Sequence, residues 1–145
     1  LQREIKRARR SEQALSLIFV DIDHFKQIND EHGHDCGDLA LASVANWIKD
    51  SVRGSDIVFR YGGEEFVILL ADTQLEGAAV IAERVRNGIE SHTLAYGMAV
   101  LNITASLGVS SLTANDSMDS LIKRADNAMY NAKKQGRNRV CLGKR

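Results

Sequence analysis

The apolar residues change period several times along the chain, and each change marks an element. Residues 15–22 read LSLIFVDI, a nearly continuous apolar run of strand length, which predicts a strand buried on both faces. Between 35 and 52 the apolar positions fall at 41, 44, 45, 48 and 52, the spacing of one helix face, so a helix is expected to cross the sheet there. Two β-rich stretches follow at 57–61 and 65–70, separated by Gly62 and Gly63. A glycine pair with short flanks favours the primed hairpin turns, whose twist matches that of paired strands. Helical spacing returns at 75, 78, 79, 82, 85 and 89. Residues 101–109 then alternate strictly, with Leu101, Ile103, Ala105, Leu107 and Val109 at the odd positions, which predicts a half-buried strand. Apolar residues at 118, 121, 122, 125, 128 and 132 predict a last helix over 118–134, stopped by Gly136, and residues 139–142 suit a short edge strand. Ahead of all these, residues 1–10 are helical in character and strongly basic.

Strand, helix, strand, strand, helix, strand is the order of the split βαβ or ferredoxin-like arrangement, here with one helix and one strand appended. The expected class is α+β: an antiparallel central sheet flanked by helices, with a βααββαβ core once a short helix after the first strand is counted. In that topology the first and third strands are central neighbours running in opposite directions. The end of the first therefore lies beside the beginning of the third, and Asp21 and Asp23 are expected to meet Glu64 and Glu65.

Four carboxylates packed together repel one another, and such a cluster makes sense chiefly around a cation. Magnesium suits hard oxygen ligands, with manganese the alternative, and it commonly takes one or two protein carboxylates while water and substrate phosphates complete its shell. The substrate should then carry phosphates. The segment HFKQIND at 24–30 opens a short helix whose free N–H groups near His24, Phe25 and Lys26 would face anionic oxygens, while Lys26 adds a positive charge. Taken alone, an Asp-x-Asp more often marks a polar strand end, and an acidic pair after a glycine turn more often marks an exposed hairpin. Here the pair runs straight into the buried-looking FVILL, which separates it from that bland reading.

The totals add limits rather than identity. At 145 residues the chain fits one domain over 1–145, able to bury roughly two-thirds of its unfolded surface. Nineteen basic side chains balance nineteen acidic ones, so no overall charge advertises a nucleic-acid or membrane partner. Cys36 and Cys141 have no zinc-type spacing and suit free thiols in a reducing cytoplasm. No apolar run approaches the roughly twenty residues that cross a bilayer. The abrupt, basic start at 1–12 suggests a stalk helix arriving from an upstream sensory region, and the localisation expected is a cytoplasmic domain of a full-length protein that could be membrane-associated.

The segments FVDIDHFKQIND at 19–30, GHDCGD at 33–38, RYGGEEF at 60–66, NITASLGVS at 102–110 and RADNAMYNAKKQGRN at 124–138 together resemble the GGDEF family of diguanylate cyclases, with GGEEF as a variant of the signature. The resemblance covers nearly the whole chain. It implies the nucleotidyl cyclase-like version of the fold and an enzyme that joins two GTP molecules into cyclic di-GMP and two pyrophosphates. It also implies that Asp21, the carbonyl of Ile22 and Glu64 hold the metal, and that Glu65 either serves a second metal or helps deprotonate the attacking hydroxyl. Asp23 is a less secure ligand. Asn29 and Asp38 would read guanine, since an amide and a carboxylate address different edges of the ring; without the family each would be a cap or turn residue. Lys26, Lys133 and Arg137 would meet phosphates, although the last two also suit a helix C-terminus by charge alone. Gly62 and Gly63 would permit positive φ and close approach of the nucleotide.

The tetrad Arg53-Gly54-Ser55-Asp56 resembles the family's R-x-x-D inhibitory site for its own product, with Arg84 on the neighbouring helix a further contributor. Each half-site would hold one GTP, so the reaction implies a homodimer of facing domains. The family's D-x-L-T-G-L-x-N-R segment, which precedes the leading helix, is not in this sequence. His24, His32, His34 and Cys36 fit no common zinc pattern, and Tyr61 and Phe66 read as packing residues. Two rivals stand beside the cyclase: a noncatalytic receptor for cyclic di-GMP or GTP, and an adenylyl-type cyclase, which would need adenine-selecting residues in place of Asn29 and Asp38.

Overall fold

The computed structural model describes residues 2–143, so Leu1, the first residue of the expected stalk helix, lies outside the described residues. In chain order the elements are α1 (Gln2–Ser11), β1 (Leu15–Ile22), α2 (Phe25–His32), α3 (His34–Ser51), β2 (Ile57–Arg60), β3 (Glu65–Ala71), α4 (Leu75–Glu90), β4 (Thr93–Tyr96), β5 (Ala99–Asn102), β6 (Ala105–Ser111), α5 (Met118–Lys134) and β7 (Val140–Leu142). The main sheet runs β2-β3-β1-β6-β7. Its pairs are antiparallel except β6 with β7, which is parallel and forms the short edge expected at the C-terminal end.

Alternation along β1 assigns a helix layer to each face. Ile18, Val20 and Ile22, with Phe66, Ile68 and Leu70 of β3, pack under α3 and α4. Leu15, Leu17 and Phe19, with Val67 and Leu69, pack under α1 and α5. All eight residues of β1 are buried, as its unbroken apolar run requires. Asp21 follows the parity of Phe19 and so leaves the strand on the α5 side. Ile5 and Ala8 bury the inner face of α1 against the same layer, and Arg9 Nη2 donates to the carbonyl of Asp116 at 2.5 Å. Over its described length, this helix lies on the surface of the fold.

One expectation needs correction. Residues 101–109 are two strands, not one: β5 pairs with β4 in a separate two-stranded sheet, and β6 joins the main sheet. The break falls at Ile103 and Thr104, where the Thr104 carbonyl accepts from the backbone N–H of Asp23 at 2.9 Å instead of continuing a ladder. Nor is β6 half buried, since all seven of its residues are covered. Its even positions are small: Ser106 and Ser110 have buried hydrogen-bond partners, and Gly108 lies so close to the backbone of α5 at Ala125 and Met129 that any Cβ would collide. α5 is anchored by a capping box between Ser117 and Ser120. Cys36 and Cys141 are both free thiols, and among the described residues no helix is long and apolar enough to cross a membrane.

Candidate active site

The site grows from the register of three strands. Asp21 stands opposite Glu65 on β3 and Ser106 on β6, and the N–H of Ile22 donates to the carbonyl of Glu64 at 3.2 Å. These bonds bring the end of β1 against the start of β3, as the topology predicted. Asp21 is buried, and its Oδ1 has no hydrogen-bond partner; the nearest cation, Lys133 Nζ, is 3.4 Å away, an ion-pair distance that is long for a hydrogen bond. Burial pushes the Asp21 carboxyl up to about 6; Lys133 opposes that rise, while Glu64 and Glu65 add to it. Glu65 is raised as well, first by burial and then by Asp126 and Glu64. Among the described residues no three His, Cys, Asp or Glu side chains form a ready coordination group. The arrangement therefore suits an ion that draws only one or two protein carboxylates and takes its remaining ligands from phosphate and water. An orphaned carboxylate oxygen facing two further acidic side chains fits a hard divalent cation on these grounds.

Asp23 does not join that group. Its Oδ2 accepts from Thr104 Oγ1 at 2.7 Å and from the backbone N–H of Asn138 at 3.0 Å, and its Oδ1 accepts from Ser106 Oγ at 2.7 Å with Lys133 Nζ at 3.4 Å. The expected acidic quartet is a trio of Asp21, Glu64 and Glu65, because hydrogen bonds from β6 and the loop after α5 occupy Asp23's lone pairs.

The glycine turn also differs from expectation. Four residues, 61–64, separate β2 from β3, and neither Gly62 nor Gly63 has positive φ, so the turn is not of the primed two-residue type. The N–H groups of Tyr61 and Gly62 both point at the carbonyl of Glu65, at 2.8 and 3.3 Å. Arg60 clamps the turn from outside, with Nε and Nη2 donating to the carbonyls of Gly62 and Gly63 at 2.6–3.1 Å. Gly62 is required for space rather than for φ: a Cβ there would run into Glu65 Oε1, whereas a Cβ on Gly63 would meet nothing within 4 Å. Tyr61 packs edge-on against Phe19 with ring centroids 5.4 Å apart, and Phe66 is buried, so both are packing residues.

Beyond the strand end, His24 adopts a left-handed conformation (φ 57°) and starts α2 with no side-chain cap, which leaves the first N–H groups around Phe25 and Lys26 open. Lys26 is exposed and has no ion pair among the described residues. Asn29 packs its amide oxygen against Gly37, where a Cβ would collide with it, and Phe25 closes on the same glycine. This contact seats Asn29 beside Asp38, the next residue along α3. Asp38 lines an open groove of ≈ 420 Å³ with Leu41, Ala45, Phe59, Arg60 and Phe66, running alongside the glycine turn. On the opposite side, the loop after α5 turns through Gly136, Arg137 and Asn138, all at positive φ. Arg137 is exposed with no side-chain partner among the described residues, whereas Lys133 already bridges Asp21 and Asp23.

The R-x-x-D residues lie away from these carboxylates, and they are engaged with each other. Arg53 Nε and Nη2 reach the Asp56 carboxylate at 3.2 and 2.9 Å, and Nη2 also donates to Thr73 Oγ1 at 2.7 Å. The Asp56 side chain is completely covered, while that of Arg53 is 45% exposed. Arg84 is exposed on α4, and no contact joins it to either residue. Sequence reading missed Arg60, Gly37, Asn138 and Asp126. All four lie inside the motif segments and were passed over there: Arg60 in RYGGEEF, Gly37 in GHDCGD, and Asp126 and Asn138 in RADNAMYNAKKQGRN, where Asp126 precedes Lys133 by seven residues, two turns along the same helix face.

Comparison with known proteins agrees with this geometry. The family model described as "Diguanylate cyclase, GGDEF domain" matches residues 1–139. The chain is 44% identical over 133 residues to Diguanylate cyclase A of Treponema denticola, and 45% identical over 139 residues to Response regulator PleD of Caulobacter vibrioides. Those matches cover 91% and 94% of this chain but 36% and 31% of the relatives, so the chain spans about a third of their length. Among solved structures, the active GGEEF domain of a diguanylate cyclase from Vibrio cholerae has a TM-score of 0.92 at 38% identity, covering 99% of this chain and 92% of that one. The GGDEF domain of DgcB from Caulobacter crescentus, in complex with c-di-GMP, has a TM-score of 0.93 at 33% identity, covering 98% and 85%. From its motifs, its strand register and these matches, the chain belongs to the GGDEF-domain family of diguanylate cyclases.

Proposed function

We propose that this chain is a diguanylate cyclase domain that condenses two GTP molecules into cyclic di-GMP across a homodimer. The observation that carries this reading is the buried Asp21 carboxylate beside Glu64 and Glu65, whose Oδ1 has no hydrogen-bond partner and only Lys133 at ion-pair distance. Asp21, the carbonyl of Ile22 and Glu64 would hold magnesium or manganese, with Glu65 available to a second ion. When bound, the ion neutralises phosphate charge and aligns the attacking oxygen.

The chain's own residues do the rest. Asn29, held against Gly37, and Asp38 orient guanine; the open N–H groups at His24 and Phe25, with Lys26, Lys133 and Arg137, receive the phosphates. The 3′-oxygen of one nucleotide forms a bond to the α-phosphorus of the other, and the bond from that phosphorus to the bridging oxygen breaks. Pyrophosphate leaves with the electron pair. Glu65, whose raised pKa makes it a better proton acceptor than an ordinary carboxylate, or a water beside it, takes the hydroxyl proton. A second domain related by two-fold symmetry supplies the other nucleotide.

Incubating the protein with GTP or ATP and magnesium, and identifying the products, tests the reading. Cyclic di-GMP from GTP alone, lost in Glu65→Ala, is the expected result. Tight GTP binding with no turnover by a dimeric protein would make it a receptor, and product from ATP would make it an adenylyl-type cyclase. The finer proposal is restraint by product at Arg53 and Asp56. Because Arg53 covers Asp56, the guanidinium must swing outward before the carboxylate can accept from a guanine edge. Arg53→Ala is expected to raise the accumulated product, and unchanged feedback in that variant would remove this site from the account.

A further inference from the structure

We infer that Arg86 on α4 is a positioning residue for the nucleotide's phosphates, acting through Asn138 on the loop between α5 and β7; this assignment rests on the cyclase reading above. That loop carries three successive residues at positive φ, Gly136 at 123°, Arg137 at 64° and Asn138 at 45°. Two of the three are not glycine; asparagine tolerates the left-handed region better than most side chains, but arginine adopts it only where its surroundings hold it there.

What holds it is a chain of polar contacts that starts on the far side of the sheet edge. Arg86 Nη1 donates to Asn138 Oδ1 at 2.9 Å, and Asn138 Nδ2 donates to the Glu90 carboxylate. Arg86 is itself fixed, with Nε and Nη2 on Glu83 at 2.6–3.0 Å and Nη1 on Glu90 at 3.2 Å, and its side chain is only 15% exposed. On the other side of the loop, the N–H of Asn138 donates to Asp23 Oδ2. The side chain and backbone of Asn138 thus tie α4 to the end of β1. Arg137 sits between these ties, its N–H bonded to the carbonyl of Ala132 at 3.0 Å and its guanidinium open. The direction in which Arg137 points is set by a loop conformation that Arg86 braces from outside the catalytic group, and Lys133 lies on the same tether through Asp23.

The test compares a non-hydrolysable GTP analogue with GMP, because the loop's cations should read the triphosphate tail and not the base. Arg86→Met keeps the aliphatic stem, and Asn138→Gly keeps a residue that favours the left-handed backbone, so both variants are suited to fold. Each is expected to weaken the analogue roughly tenfold, as for loss of a hydrogen bond to a charged group, while GMP changes by less than about twofold. The double variant should be no worse than either single one, as for residues acting in one network. Equal losses for the two nucleotides, additive effects, or unchanged analogue affinity would each overturn the assignment. A wild-type protein that binds the analogue but makes no cyclic product would defeat the cyclase reading while leaving this binding ratio to be decided on its own.

Discussion

Asp23 receives hydrogen bonds from Thr104, Ser106 and the backbone of Asn138, whereas Asp21, one side chain earlier on the same face of the chain, keeps a buried oxygen with no hydrogen-bond partner. Asp23 uses its charge to join β1, β6 and the loop after α5. Around Asp21 the same chemistry is left incomplete: burial, with Glu64 and Glu65 adding to it, disfavours the ionised form more than Lys133 at 3.4 Å restores it, and a bound divalent cation would reverse that balance. The difference between a structural and a functional carboxylate here is therefore whether the fold supplies its own donors.

The sharpest way to break that comparison is to neutralise each carboxylate in turn. Asp21→Asn is expected to lower cyclic di-GMP formation by roughly a thousandfold or more, the scale of losing a main electrostatic element of a transition state. A loss below tenfold would show that Asp21 is not a ligand. Asp23→Ala should act on the fold, destabilising the protein by about 2–4 kcal/mol because Thr104, Ser106 and the Asn138 N–H lose a charged acceptor. Urea unfolding at constant slope reads this directly, and an unchanged midpoint would contradict the structural role.

The contrast has a pH signature once divalent ions are removed with a chelator. Asp21 is raised from 3.8 to about 6 in the folded state, so the folded protein binds more protons than the unfolded chain between those values. That contribution to stability is fully present below about pH 4 and is lost as pH rises through about 6, by at most about 3 kcal/mol. Asp21→Asn should flatten this decline and leave the chelated variant more stable than wild type at pH 8, a residual slope remaining from Glu65 and Asp126, which are raised in the same direction. Identical pH profiles for the two proteins would mean that Asp21 is not strained by its surroundings.

How much of this was legible in the sequence follows the same division. Periodicity found β1, β3, α3, α4 and α5 because their burial is decided by large apolar side chains, and the β1–β3 adjacency that pairs Asp21 with Glu65 followed from element order. It failed on 101–109, where the apolar odd positions are genuine but the even ones are buried by other means: a hydroxyl bonded to Asp23, a hydroxyl bonded to Leu121, and a glycine against a helix backbone. The hairpin partner β4 is four residues long, too short for its alternation to register. Asp23 was placed with the wrong group because its partners, Thr104, Ser106 and Asn138, lie 81 to 115 residues away in sequence, a separation that no local pattern reports.

The smallest effect separates occupied from open space inside the glycine turn. Gly62→Ala would drive its Cβ into Glu65 Oε1, the far end of a flexible side chain, so the carboxylate can swing aside and stability should change by less than about 1 kcal/mol. The displaced Glu65 would nonetheless leave the geometry set opposite Asp21, and turnover should fall roughly tenfold, since misplacement on the order of an ångström is costly in a positioned site. Gly63→Ala meets no atom within 4 Å, so any effect it has must come from what crosses the turn rather than from the turn itself. A raised KM for GTP with kcat retained would place the nucleotide over Gly63. Full activity in Gly62→Ala would mean that Glu65 acts from more than one position, and the division between a satisfied Asp23 and a poised acidic trio would then rest on Asp21 and Glu64 alone.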